Sequence, residues 1–161
     1  MIYKIYDEQN RITDEMTELI HRATEISLRN ELGEAYDPEL PVEISLSVVE
    51  ADEMHEINSG FRGVDSVTDV LSFPQYRDVE DLLDDLDFFD HELLLGDVVI
   101  CYDKVVEQAA EYGNSLAREF IYLYVHSMMH LLGYDHMQDE ERAVMREHEE
   151  AVMAELGLSR E

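Results

Sequence analysis

Three histidines stand as His126-Ser127-Met128-Met129-His130, followed by Leu131-Leu132-Gly133-Tyr134-Asp135-His136. No other feature constrains what this chain can fold into as tightly. Ser115 can cap a helix whose apolar pattern runs to about Leu132, with Gly133 as its end. A four-residue step along a helix turns about 400°, so His126 and His130 leave the same face about 6 Å apart along the axis. Gly133, with no Cβ, can take a left-handed conformation and turn the chain so that His136 returns toward the other two. Three imidazoles then converge. They suit one Zn²⁺ ion, and three protein ligands with water in the fourth position is the usual arrangement of a catalytic zinc site. His21, His55, His91 and His148 have no such spacing and are expected to bind no metal.

The pattern H-x3-H-x5-H, with a glycine three positions after the second histidine, resembles the zinc helix of the metzincin peptidases. Those enzymes carry a glutamate directly after the first histidine as general base, and this chain has Ser127 there. An unperturbed serine hydroxyl cannot take that proton, so a metallopeptidase reading needs a base from elsewhere.

The rest of the chain reads as a small sheet with helices. Ile2 to Tyr6 alternates as a strand, and Asp14 to about Leu32 carries Met16, Leu19, Ile20, Ala23, Ile26 and Leu28 at near-helical spacing, with Gly33 as the stop. Pro38 and Pro41 mark a loop before Val42 to Val49, a period-two strand with one polar face. Ala51 to Asn58 suits a short helix closed by Ser59-Gly60, and Thr68 to Phe73 a strand ended by Pro74. Asp78 to Glu92 holds eight acids in fifteen residues, interleaved with Leu82, Leu83, Leu86, Phe88 and Phe89, and fits either a mobile loop or a short amphipathic helix. Leu93 to Cys101 is apolar enough for a central strand, with Gly96 marking a bulge or a close approach. Asp103 can cap a helix to Tyr112 that Gly113 ends, and a last helix spans roughly Asp139 to Leu156. The expected fold is α+β in a single domain: about four strands in a small mixed sheet, packed with about five helices, without repeats or linkers.

Length and composition agree with that reading. At 161 residues and 45% hydrophobic, with nine Tyr and five Phe, the chain has material for one core but not two. The single Cys101 excludes an internal disulfide, charges interrupt any signal-like run after Met1, and no stretch is apolar enough to span a membrane, so a soluble cytoplasmic protein is expected. Charge points away from nucleic acid: 11 Lys and Arg against 39 Asp and Glu give −28. That field repels polyanions at long range, but screening over about 8 Å leaves room for a local basic spot.

The stretch HSMMHLLGYDH, from His126 to His136, resembles the signature of the YbeY family of bacterial endoribonucleases and rRNA maturation factors. Two further stretches agree with that family: NSGFRGVDSVTDVLSFP, from Asn58 to Pro74, and LGDVVIC, from Leu95 to Cys101. The resemblance implies one zinc ion on His126, His130 and His136 with a bound water, and a functional arginine at Arg62. It implies a single-strand-specific, metal-dependent endoribonuclease acting in 3′-end maturation of small-subunit rRNA and in ribosome quality control. Ser127 stands where the family usually has glycine, and Met129 where it often has leucine; neither change removes a ligand. Partners expected on this basis are rRNA and the small ribosomal subunit, reached in part through basic ribosomal proteins, with no membrane and no DNA. Apart from the family, Arg62 would pass for a loop residue or the ion-pair partner of a nearby acid. Asp69 and Asp97 are candidates to orient the ligand imidazoles, while Tyr134 and Asp135 can do that or simply shape the turn. A different class of function remains open from the residues: an assembly factor whose zinc is structural and whose acidic surface docks on basic ribosomal proteins.

Overall fold

Alternation in Val42–Val49 (β2) sends Val42, Ile44, Leu46 and Val48 to one face, all of them buried, while Glu43, Ser45 and Ser47 on the other face are only half-buried. In the computed structural model, which describes residues 1–88 and 90–159, this strand lies inside a four-stranded sheet. Ile2–Tyr6 (β1) and Leu93–Cys101 (β4) run parallel to β2 on either side, and Val70–Pro74 (β3) pairs antiparallel with β4 as an edge, giving the order β1-β2-β4-β3. The sheet is therefore mixed. The fold is single-domain α+β as expected, with six α-helices among the described residues where about five were expected.

The six helices are Asp14–Leu32 (α1), Ala51–Arg62 (α2), Val79–Phe88 (α3), Tyr102–Tyr112 (α4), Leu116–Leu131 (α5) and Asp139–Glu155 (α6). The side chains of Thr13 and Ser115 accept the Met16 and Arg118 N–H groups and cap α1 and α5. One face of the sheet packs on α1, α5 and α6 through the main core, in which Phe120, Tyr124 and Met128 of α5 are fully buried. The buried Tyr124 hydroxyl finds Thr24 of α1 at 2.7 Å, so the largest core side chain leaves no polar atom unpaired. A smaller core on the opposite face joins Met54 of α2 to Leu71, Val99 and Cys101.

Gly96 produces both features expected of it. The β2–β4 register slips between Glu43 and Ile44, which pair with Leu94 and Gly96, so Leu95 is the extra residue of a bulge. A Cβ on Gly96 would lie 2.5 Å from Leu131 Cδ2 and 2.7 Å from the Phe73 carbonyl oxygen. The missing side chain lets the end of α5 press against the sheet where β3 joins it.

Three local expectations are corrected, and one left open between two alternatives is decided. Helix α2 does not close at Ser59-Gly60 but runs to Arg62, and Gly63 ends it in the left-handed region at φ 67°; Gly60 is tolerated on its exposed side. Pro74 does not stop β3 but is its last residue, opposite Gly96, because an edge strand accommodates a residue without an N–H. Thr68 and Asp69 precede that strand. Asp103 does not cap its own helix, which starts at Tyr102; its carboxylate instead accepts the Ala51 N–H at 2.8 Å, a first-turn donor of α2. The acidic stretch from Asp78 forms α3, anchored through the fully buried Leu82, with Glu80, Asp84 and Asp87 exposed and Asp81 and Asp85 half-buried. Phe89 of that stretch lies outside the described residues.

Candidate metal centre

Arg118, Tyr122, His126 and His130 are four residues apart in succession, so they form one row along α5. The last two members meet His136. Ring centroids are 4.8 Å apart for His126 and His130, 4.9 Å for His130 and His136, and 5.5 Å for His126 and His136. One nitrogen from each ring can be chosen so that all three lie within 4.8 Å of one another, and the group can hold a metal ion. Among the described residues it is the one group of three or more potential ligands that converges in this way.

Gly133 makes the return of His136 possible. Its φ of +104° is closed to residues with a Cβ, and a Cβ there would sit 2.8 Å from Asp78 Cα and 2.9 Å from the Arg77 carbonyl oxygen. The turn after α5 is thus pressed against the chain leading into α3. Asp135 shapes the same turn, accepting the His136 N–H at 2.7 Å.

Two of the rings are held by their other nitrogen. His130 Nδ1–H donates to the Tyr134 carbonyl at 2.9 Å, and His126 Nδ1 lies 2.5 Å from Glu149 Oε2 of α6. In each ring Nε2 is then the nitrogen left for a metal. Burial, followed by the neighbouring His126, pushes His130 below its ordinary value, which favours the neutral ring, the form that binds metal. Three imidazoles, two half-buried and His136 exposed, make a donor set that fits Zn²⁺ with room for a further ligand.

The histidines line a cleft of about 750 Å³ together with Arg62 from the end of α2 and Arg77 from the loop before α3. Arg62 Nη1 donates to Asn58 Oδ1 at 3.4 Å, one helical turn back, and buried Asn58 is itself fixed by donating to the Ser66 carbonyl at 3.0 Å. Arg77 is largely exposed, with a loose ion pair to Asp81 at 3.7 Å.

Other sequence candidates fall elsewhere. Asp69 lines the cleft but serves the backbone and a helix, accepting the Val70 N–H at 2.8 Å and Gln108 Nε2–H at 3.1 Å. Asp97 sits in β4 opposite Phe73. Neither carboxylate bonds to a ligand imidazole. Ser127 is fully buried, its hydroxyl 2.6 Å from that of Ser72 in β3, so it faces the sheet and not the cleft. Tyr134 does more than shape a turn: besides its carbonyl bond to His130, its hydroxyl donates to Glu31 of α1 at 2.7 Å and meets His148 at 3.2 Å. His148, read from sequence as lacking partners for a metal, is instead held by Glu31 at 2.6 Å. Burial and Glu31 push the Tyr134 hydroxyl well above its ordinary value. His21 stacks on Tyr3 and His55 contacts Asp65, both away from the metal centre.

Glu149 escaped the sequence reading. The signal for it was there: Met145, Glu149 and Met153 form one i, i+4 row of buried positions on α6, and an acid on an apolar row needs a reason.

The chain matches the family model described as Endoribonuclease YbeY over residues 3–157. It is 44% identical to the Endoribonuclease YbeY of Finegoldia magna, over 98% of this chain and 95% of that one. The Endoribonuclease YbeY of Desulfitobacterium hafniense is 41% identical, over 96% and 91% of the two chains. Among solved structures, a solution structure from Thermotoga maritima superposes with a TM-score of 0.59 at 26% identity, covering 98% of this chain and 92% of the other.

Proposed function

Because the chain belongs to the YbeY endoribonuclease family, we propose that it is a zinc-dependent endoribonuclease that cuts single-stranded RNA in small-subunit rRNA precursors, serving 3′-end maturation and ribosome quality control in the cytoplasm. The observation that carries this reading is the sharing of one cleft by the three histidines and Arg62. His126, His130 and His136 hold one ion. Bound there, zinc supplies Lewis acidity for phosphodiester hydrolysis.

The protein's own groups bind and orient the strand. Arg62 presents a planar fork to a phosphate and stays protonated throughout, so it offsets charge as it builds on the scissile group. The anchor through Asn58 aims the guanidinium before RNA arrives. Arg77 offers a second cation to an adjoining phosphate in the same cleft. Peptide hydrolysis lacks support from Ser127, since a serine buried against Ser72 cannot serve as a base in the cleft.

The test is cleavage of a single-stranded precursor fragment by purified protein, beside an identically purified His130→Ala variant and a chelator-treated sample. Cutting lost in both controls supports the proposal; equal cutting in all three means a contaminant and refutes it. Arg62→Lys should keep the fold and the metal and cut about 10²-fold more slowly, because a lysine ammonium replaces a fork with a point charge. Undiminished cutting by that variant would remove Arg62 from the mechanism.

The net charge of −28 favours one rival, an assembly factor with structural zinc that docks on basic ribosomal proteins. Ligand-to-Ala variants that still co-sediment with small subunits while precursor ends stay uncut speak for the enzyme. Loss of docking together with processing speaks for the factor.

A further inference from the structure

Glu149 is an expensive residue to place where it is. Its carboxylate is 3% exposed, yet among the described residues its charge faces no Lys or Arg within ion-pair distance. Burying a carboxylate costs several kcal/mol unless partners satisfy its oxygens. What surrounds it is specific. Oε2 lies 2.5 Å from His126 Nδ1, and Oε1 accepts a longer bond of 3.4 Å from the Tyr122 hydroxyl. Tyr122 and His126 are consecutive members of the row on α5 that continues to His130. The acid on α6 therefore reaches the polar row of α5 at the position where a metal ligand begins.

We propose that Glu149 is a positioning residue for the metal centre: by accepting His126 Nδ1–H it fixes the ring orientation and the tautomer that leaves Nε2 to the ion. The idea rests on the metal-binding part of the proposed function. It also explains the burial, because the positive charge that compensates Glu149 is delivered through the imidazole by the bound cation. Of the three ligands, His126 alone has an anionic acceptor on its second nitrogen among the described residues; His130 has the neutral Tyr134 carbonyl. A carboxylate acceptor makes the ligand nitrogen more basic than a carbonyl does, so His126 is the ligand whose grip on the ion depends most on its support.

Two measurements test this, neither involving RNA. The first is the zinc affinity of the wild type, Glu149→Gln and Glu149→Ala, read by competition with a chromophoric chelator, alongside thermal melting of the metal-free proteins. Zinc should bind about 10–100-fold more weakly to the Ala variant, the usual cost of losing such a support, with Gln between it and the wild type. Unchanged zinc affinity in folded variants overturns the proposal, as does a lowered melting point with no change in affinity. The second uses the unmodified protein, so it stands even if the variants fail to fold. Free histidine favours the Nε2–H tautomer, whereas ¹⁵N spectra of the metal-free protein above pH 7 should show His126 as Nδ1–H; an Nε2–H ring overturns the proposal. Failure of RNA cleavage would leave both results intact. Failure of the wild type to bind zinc would sink the metal reading, with the tautomer still judging Glu149.

Discussion

His130 carries a sign that can be worked out in full. Burial lowers its folded-state value beneath the ordinary 6.5 expected in the unfolded chain. Between the two values the unfolded chain binds more protons, so unfolding free energy rises with pH across that window. The contribution is complete above about 6.5 and is lost as pH falls through it toward the folded-state value. The metal-free protein should therefore melt at progressively lower temperature below about pH 6.5, more steeply than His130→Gln, which has no such proton to take up. Parallel melting profiles for the two proteins would mean that His130 titrates normally. The same burial favours the neutral ring that zinc needs, so a cost to stability in acid and readiness for metal at neutral pH share one cause.

At the scale of elements, the link between α5 and α6 holds the centre together, and Gly133 is its critical residue. Gly133→Ala would force a Cβ into φ +104° and against the Asp78 and Arg77 backbone at once. The variant should lose roughly 1–3 kcal/mol of stability. It should also bind zinc more weakly, since relief of the clash moves either His136 or the Arg77 loop. Urea denaturation and chelator competition check the two effects separately; a stable variant with full zinc affinity would show that the turn tolerates another path. This link was legible because its signals are local: a cap at Ser115, an i, i+4 pair, and a glycine where the helix must stop. The end of α2 was misread although its signal is local, the left-handed Gly63; two other misreadings were decided by contacts across the fold. Asp103 caps α2 rather than its own helix because the chain brings Ala51 within 2.8 Å of it. Pro74 remains in β3 because the strand lies at the sheet edge, a fact of topology that a strand's own residues do not carry. Glu149 and Glu31 belong to helices that do not contain their partners His126 and Tyr134, and neither has a spacing that points to its partner.

Charge belongs to the whole molecule, and it sets how such a protein meets RNA. With −28 overall, most of the surface repels a phosphate backbone, and among the described residues Arg62 and Arg77 are the two cations that line the cleft. Two phosphate contacts on a single strand release counterions enough for a slope of about −1.4 in log affinity against log salt, at about −0.7 for each contact. Repulsion by the remainder works in the opposite direction, because added salt screens it. The net dependence should thus be shallower than −1.4, less than about a sevenfold loss between roughly 50 and 200 mM salt, where a strongly basic nuclease would lose orders of magnitude. Fluorescence anisotropy with a labelled single-stranded oligonucleotide and the His130→Ala variant, which should not cut it, measures this directly. A slope of about −3 or steeper would require cationic contacts beyond the cleft and would sink the two-arginine account. A shallow slope has a further consequence for selection of substrate. Weak, salt-tolerant binding cannot hold RNA by its backbone alone, so the acidic surface would bias cutting toward strands presented by a bound partner such as a basic ribosomal protein.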